Sequence, residues 1–185
     1  MPAQETVTRS HVQLAAGPGA PPRQSAALPA TVVLDTNAVL DWLVFADGPM
    51  QVIGQAIAAR KTQWLVTPRM LDELRTVMTR PLTPRWEPAR ELALTIDVMP
   101  WATVCPEPVP GTSLVCRDAA DQVFVDLARE HHPTLLLTRD RALLALRRRA
   151  GCDGVEIETA AAWLASWRAV DGRGRCSAGR PQTPR

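Results

Sequence analysis

The sequence lacks any apolar stretch approaching the roughly 20 residues that a membrane-spanning helix requires, which argues against a membrane protein. Its start has no basic segment followed by an apolar run, so we expect no secretory signal and a cytoplasmic location. No C-x-x-C pair or Cys/His cluster is present, which leaves a structural zinc site without support. We therefore expect free thiols at the four widely spaced cysteines, Cys105, Cys116, Cys152 and Cys176.

The central part of the chain also lacks an excess of positive charge. Residues 30–170 contain 15 Lys and Arg residues against 17 Asp and Glu residues, and the two ends of the chain bring the whole to +2. A protein that coats nucleic acid through bulk charge needs a basic surface, so this balance disfavours that class. It is compatible with a small acidic site that handles phosphate groups through a metal ion.

The length of 185 residues fits one ordinary domain. Residues 1–29 and 171–185 are rich in Pro, Gly, Ser and Ala without a sustained apolar period, and the second segment holds four arginines. Such segments bury too little apolar surface to offset the entropy of ordering. We therefore predict two disordered tails around one folded domain at residues 30–170.

Short apolar runs alternate with helical patterns inside this domain. This alternation predicts an α/β fold, a three-layer α/β/α sandwich around a parallel sheet. In such sheets, ligands bind beyond the carboxyl ends of the strands. The predicted strands are 31–34, 64–66, 101–104, 134–138 and 155–157, and the predicted helices are 36–45, 49–60, 68–79, 86–97, 119–131, 141–150 and one capped by Thr159.

Two of the clearest strands are followed by aspartate. Asp35 follows the first strand directly, and Asp140 closes the segment Leu137-Thr138-Arg139-Asp140 after the fourth. Each aspartate also precedes a helix, where Asp is a common N-cap. Because the two acids lie at corresponding strand ends, a shared site is the alternative to two separate caps.

The position of each remaining acid around its helix separates acids that face solvent from acids near the buried face. On helix 68–79, Asp72 lies on the solvent side and Glu73 at the edge of the apolar face. On helix 119–131, Asp121 falls within the apolar arc, whereas Asp126 and Glu130 point away from it. A carboxylate on a buried face is costly unless it is paired or binds a metal ion.

Capping is the competing interpretation for Asp121, because Asp118-x-x-Asp121 resembles a capping pair at a helix start. If Asp121 is not a cap, we expect four acids to lie close together, with Asp118 as a fifth candidate. Like charges this close raise one another's pKa, and a hard divalent cation such as Mg²⁺ or Mn²⁺ would relieve the repulsion. The predicted metal ligands are Asp35, Glu73, Asp121 and Asp140.

Four segments resemble the PIN-domain family over residues 31–165, in order and in spacing. They are VVLDTNAVLDWL, TPRMLDELRTVMTRP, CRDAADQVFVDLA and LLLTRDRALL. The resemblance is to the subgroup of toxins from bacterial type II toxin–antitoxin pairs. It implies an α/β/α ribonuclease dependent on Mg²⁺ or Mn²⁺, with RNA as substrate, a cognate antitoxin as partner and a homodimer as assembly.

The resemblance also assigns roles to residues. It implies that Asp35, Asp121 and Asp140 hold one or two metal ions, with Glu73 as a ligand or a water-orienting group. A metal-activated water then attacks the phosphodiester in line, leaving a 3′-hydroxyl and a 5′-phosphate. Supporting polar groups are Thr36, Asn37 and Thr138, and the candidate contacts to the RNA backbone are Arg117, Arg139 and Arg141.

Three other functions are weighed against this one. A standalone RNA-processing nuclease without an antitoxin has the same chemistry, and the sequence does not separate it from a toxin. A non-catalytic binding module is disfavoured because every matched acid is present. A phosphatase with an aspartyl nucleophile after the first strand would need a second acid two residues on, where this chain has Asn37.

Overall fold

The structure of the protein is a computed structural model that describes residues 29–111, 113–131 and 134–175, of which residues 169–175 are described by their backbone alone. The predicted tails at 1–29 and 171–185 lie outside the described residues, apart from Pro29 and the backbone of 171–175. That backbone belongs to the last helix, which ends at Arg175 and so passes the predicted domain end at residue 170.

The described residues form one parallel sheet of five strands in the order β3-β2-β1-β4-β5. The three inner strands are almost wholly buried, which explains their continuous apolar sequences. Helices cover both faces, so the predicted α/β sandwich is confirmed. The strands are β1 (Thr31–Leu34), β2 (Gln63–Val66), β3 (Ala102–Val104), β4 (Thr134–Leu137) and β5 (Val155–Glu158).

In the part of the chain that the structure describes, eight α-helices alternate with these strands or follow one another between them. Thr67 caps α3 as its position before Pro68 predicts, since its hydroxyl accepts a hydrogen bond from the Met70 amide at 3.3 Å. The helices are α1 (Thr36–Leu43), α2 (Gly48–Ala58), α3 (Pro68–Met78), α4 (Glu87–Leu94), α5 (Gln122–Glu130), α6 (Arg141–Leu144), α7 (Arg147–Ala150) and α8 (Ala160–Arg175). Among the described residues, none of the helices is both long enough and apolar enough to cross a membrane.

The predicted single helix 141–150 is in fact two short helices followed by a 3₁₀ turn at Gly151–Asp153. At the break, the Leu146 amide donates to the Leu143 carbonyl three residues back, at 3.0 Å, so the backbone tightens there. Leu143, Leu146 and Ala150 are all buried, so the tightened path keeps this apolar set against the core.

The topology brings two strand ends together at the centre of the sheet. β1 pairs with β2 on one side and with β4 on the other, and the chain reverses its direction of travel across the sheet at β1. The Asp35 amide donates to the Leu137 carbonyl at 3.1 Å, which ties the carboxyl end of β1 to that of β4. Ligand crevices in open α/β sheets form at such a switch point.

Candidate acidic active site

Asp35 is the most buried of the predicted site acids, at 3% exposure. It is the N-cap of α1, because its Oδ1 accepts a hydrogen bond from the Ala38 amide at 2.6 Å. Burial raises the pKa of Asp35 above its usual value of 3.8, and the nearby Asp140 charge adds to this, while hydrogen bonds from Thr138 and Ala38 oppose it. Asp35 is therefore both a helix cap and a carboxylate held at the crevice.

Thr138 connects the two aspartates that follow β1 and β4. Its buried hydroxyl donates to Asp35 Oδ2 and accepts from the Asp140 amide at 2.8 Å. The backbone of Thr138 is itself fixed, since its amide donates to the Glu158 carbonyl of β5 at 3.0 Å. The hydroxyl that the resemblance assigns a supporting role thus lies between two site acids.

Asp140 is half-buried and is also a helix cap. Its Oδ1 accepts from the amides of Ala142 and Leu143 at 2.6 and 3.1 Å at the start of α6. Among the described residues, the second carboxylate oxygen of Asp140 has no hydrogen-bond partner. The capping interpretation and the shared-site interpretation of the two strand-end acids are therefore compatible, because one oxygen suffices for a cap.

Glu73 reaches the same edge of the sheet from α3. Its Oε1 accepts a hydrogen bond from the Thr36 hydroxyl at 3.0 Å, and Thr36 is the residue directly after Asp35. The side chain is half-buried, as expected for a position at the edge of the apolar face. Asn37, the other polar residue after Asp35, is exposed on α1.

Asp121 shows most clearly that the acids lie together. It occupies the position before α5, but its side chain makes no capping hydrogen bond. Its pKa is raised from 3.8 to about 6, first by burial and then by the charges of Asp118, Asp140, Asp35 and Glu73. All the other candidate acids therefore act on Asp121.

Asp118 lies at the exposed rim of this group. Its Oδ1 accepts from the Ala120 amide at 2.9 Å, so it stabilises the turn before α5. This turn explains why α5 begins at Gln122 and not at the predicted residue 119.

The donor set fits a hard divalent cation in its chemistry, since it consists of carboxylate oxygens whose charges are not balanced within the group. It is not assembled as a finished binding site. The described residues contain no group of three or more His, Cys, Asp and Glu side chains arranged to hold a metal ion. Asp140 and Glu73 each direct one oxygen to protein donors and Asp35 directs both, and mutual repulsion opposes their turning toward one point.

The three predicted RNA-binding arginines occupy different surroundings. Arg117 and Arg141 line an open groove together with Asp118 and Asp140, so they stand beside the acids with their side chains exposed. Arg139 is paired with Asp41 of α1, with Nη2 2.5 Å from Oδ1. Its charge also lowers the pKa of Asp35.

Asp41 is an acid of this region that the sequence reasoning missed. It is buried on α1, and its pKa is raised to about 6, first by burial, with the Arg139 charge lowering it and the charges of Asp47 and Asp35 raising it. A single carboxylate inside the apolar run Val39–Leu43 was the available signal, because a buried acid requires a partner.

The solvent-facing position predicted for Asp126 is wrong. The residue is 4% exposed, and its Oδ1 accepts from Gly111 N, Gln122 Nε2 and Arg129 Nη1 at 3.0, 3.0 and 3.3 Å. The chain before α5 folds over the outer face of that helix, so both faces are covered. Asp72 and Glu130 are exposed as predicted, and the described cysteines, Cys105, Cys116 and Cys152, are free.

Comparison with known proteins gives one family. The family model described as PIN domain matches residues 31–142, from the start of β1 into α6. The matched range includes all five candidate acids, and it ends before the limit at residue 165 that the sequence resemblance predicts. A search of curated proteins finds no match to this chain.

Proposed function

The chain belongs to the PIN domain family, whose members are generally nucleases, and from this premise we propose that it is an endoribonuclease dependent on Mg²⁺ or Mn²⁺. It hydrolyses RNA phosphodiester bonds at the carboxyl ends of β1 and β4. The proposal includes a cytoplasmic location, where RNA substrate is found and where free thiols persist.

The observation that carries the proposal is the burial of Asp121 among other carboxylates. Burial first, and then the charges of the four other candidate acids, raise its pKa to about 6. An uncompensated group of acids is unfavourable in a fold unless a cation is bound there in the working state. Such a group would repel a phosphate diester, and a cation held by these acids would offset that repulsion.

Each residue of the site has a proposed role that follows from its surroundings. Asp35, Asp121 and Asp140 would hold the ion, with Glu73 as a further ligand or as the group that orients water; Asp118 is a candidate at the rim. A bound divalent ion supplies an activated water and neutralises charge on the phosphate oxygen. Thr138 orients Asp35, Thr36 orients Glu73, and Arg117 and Arg141 hold the RNA backbone beside the acids.

We further propose that this nuclease is the toxin of a bacterial type II toxin–antitoxin pair. The order and spacing of its four motifs support this role. A homodimer belongs to the same proposal and rests on the resemblance alone.

The chemical part is tested with purified protein and a fluorescent single-stranded RNA. We expect cleavage with Mg²⁺ or Mn²⁺, loss of cleavage with EDTA and recovery when the ion is restored. The 5′ ends of the products should be phosphorylated, as a ligase that requires a 5′-phosphate would report. Cleavage by pure protein that resists EDTA would refute the metal-dependent mechanism.

The biological part is tested by induced expression in a bacterial host. The parent chain should arrest growth, whereas Asp35→Asn, expressed to the same level, should not. Co-expression of a small reading frame adjacent to the gene should restore growth if it encodes the antitoxin. An active nuclease that leaves growth unaffected would favour a standalone RNA-processing role.

A further inference from the structure

One ion pair joins the first helix to the segment that carries two of the site residues. Asp41 Oδ1 lies 2.5 Å from Arg139 Nη2, across 98 positions of sequence. The Asp41 side chain is 5% exposed and that of Arg139 is 58% exposed. The pair therefore fixes α1 to the chain between β4 and α6.

We do not expect this ion pair to add much to the stability of the fold. Removing a carboxylate from water is costly, and a buried ion pair often stabilises a fold no better than apolar residues of similar volume. Among the described residues, Arg139 is the only side-chain partner of Asp41. The location of the pair beside Asp35, whose charge reaches Asp41, suggests a role in the site instead.

Arg139 stands between two residues that both act on Asp35. Thr138 donates to the Asp35 carboxylate, and the charge of Asp140 reaches it. Thr138 is buried, Arg139 exposed and Asp140 half-buried. Thr138 and Asp140 are the immediate chain neighbours of Arg139, and the Asp140 amide donates to the Thr138 hydroxyl, so anchoring Arg139 on α1 restricts the backbone that carries both of them.

We propose that Asp41 and Arg139 form a positioning pair for the nuclease site. Asp41 holds the Arg139 side chain on α1, and this holds Thr138 and Asp140 toward Asp35. The contacts to RNA phosphate then belong to Arg117 and Arg141, and Arg139 acts through its neighbours. This inference rests on the proposed function of the preceding subsection.

The kinetic test compares Asp41→Asn, Arg139→Gln and the double variant on a fluorescent RNA with saturating Mg²⁺. Misplaced catalytic groups lower kcat, so we expect each single change to reduce kcat about 10-fold with KM nearly unchanged. The double variant should also lose about 10-fold, because both changes break the same interaction. Arg139→Lys should recover most of the rate, since it keeps a cation beside Asp41.

A matched control is the exposed pair of Asp72 and Arg75 on α3, whose side chains are 72% and 66% exposed. Asp72→Asn and Arg75→Gln should leave kcat unchanged. Full activity of Asp41→Asn would overturn the proposal. An Arg139→Gln effect confined to KM, or a double variant with about a 100-fold loss, would overturn it as well, because either result assigns Arg139 a separate contact with RNA.

A second measurement does not depend on RNA cleavage. Amide hydrogen exchange of the full chain, without RNA or metal ion, should be faster over residues 138–144 in Asp41→Asn and Arg139→Gln than in the parent. Asp72→Asn should match the parent there. If the parent does not cleave RNA, the proposed function fails while exchange still decides the role of the pair. Unchanged exchange in both variants would overturn the pair's role even if the parent cleaves RNA.

Discussion

At the scale of single residues, the two aspartates at the strand ends are helix caps and also proposed ion ligands. Asp35 and Asp140 cap α1 and α6 with Oδ1, Asp35 Oδ2 accepts from the Thr138 hydroxyl, and Asp140 Oδ2 has no hydrogen-bond partner among the described residues. Asparagine is as good a cap as aspartate. A change from carboxylate to amide therefore separates capping from ion binding, because it keeps the first task and removes the second.

We predict that Asp35→Asn and Asp140→Asn lose cleavage by about 100-fold or more, since the metal ligand supplies several kcal/mol of charge stabilisation. The metal-free variants should melt at or above the temperature of the parent, because one of several repelling charges is gone. RNA cleavage and thermal melting in EDTA measure the two effects. Asp72→Asn is the control and should change neither; a fully active Asp140→Asn would contradict the assignment.

The raised pKa of Asp121 predicts a pH-dependent stability of the metal-free protein. The folded chain binds the proton with a pKa of about 6, against 3.8 for the unfolded reference. Between these values the folded state binds more protons, so the contribution of this group to the free energy of unfolding falls as pH rises. Asp121→Asn removes this fall in the free energy of unfolding. The substitution should therefore raise the metal-free melting temperature more at about pH 7 than at about pH 4.5.

The metal ion should reverse this dependence. A divalent cation competes with protons for the same carboxylates, so saturating Mg²⁺ should stabilise the parent more at neutral than at acidic pH. Thermal melting with and without Mg²⁺ across this range gives the comparison. An Asp121→Asn shift that is equal at both ends of the pH range would show that the Asp121 carboxyl is not perturbed by its neighbours.

At the scale of elements, α5 is held by a carboxylate that organises the chain folded over it. Asp126 Oδ1 accepts from the Gly111 backbone and from the side chains of Gln122 and Arg129. Gln122 adds two contacts of its own, to the Cys116 amide at 2.7 Å and the Leu114 carbonyl at 2.9 Å. This network places Asp118 and Asp121 at the crevice, since both lie between Cys116 and Gln122.

We predict that Asp126→Ala destabilises the protein by about 2–4 kcal/mol, because it removes the acceptor that three donors share at a buried site. Asp126→Asn should cost less, since its Oδ1 still accepts hydrogen bonds. Asp72→Ala, on the exposed face of α3, should stay within about 0.5 kcal/mol of the parent. Urea unfolding measures all three; equal stability of Asp126→Ala and Asp72→Ala would mean that the network does not hold α5.

At the scale of the whole molecule, the buried apolar core lies between Val32 and Leu164, within the described residues. We therefore expect a chain of residues 29–175 to unfold in one cooperative transition, within about 4 °C of the full chain. Pro29 is retained because its carbonyl accepts from the Thr62 hydroxyl at 2.7 Å. Calorimetry of the two chains makes the comparison, and loss of a cooperative transition would contradict the proposed domain limits.

The sequence alone determined what depends on local pattern. Apolar runs and helical spacing predict the five strands, most of the helices and hence the parallel sheet, and parallel strands bring Asp35 and Asp140 to one edge. Helix phase also places Glu73 at the border of the buried face. The ends of α4 and α5 differ by up to three residues from prediction, because caps and turns outside the periodic pattern set them.

Only the tertiary structure decided which acids are covered and which cation each one meets. Asp126 is buried because a segment more than ten positions earlier lies over α5. The helical spacing of apolar residues identifies one buried face of α5 and gives no sign that a second face is covered. Asp41 and Arg139 meet across 98 positions, where no local pattern connects them. Covering segments and long-range ion pairs depend on how separate elements pack, and so the sequence pattern of any one element does not contain them.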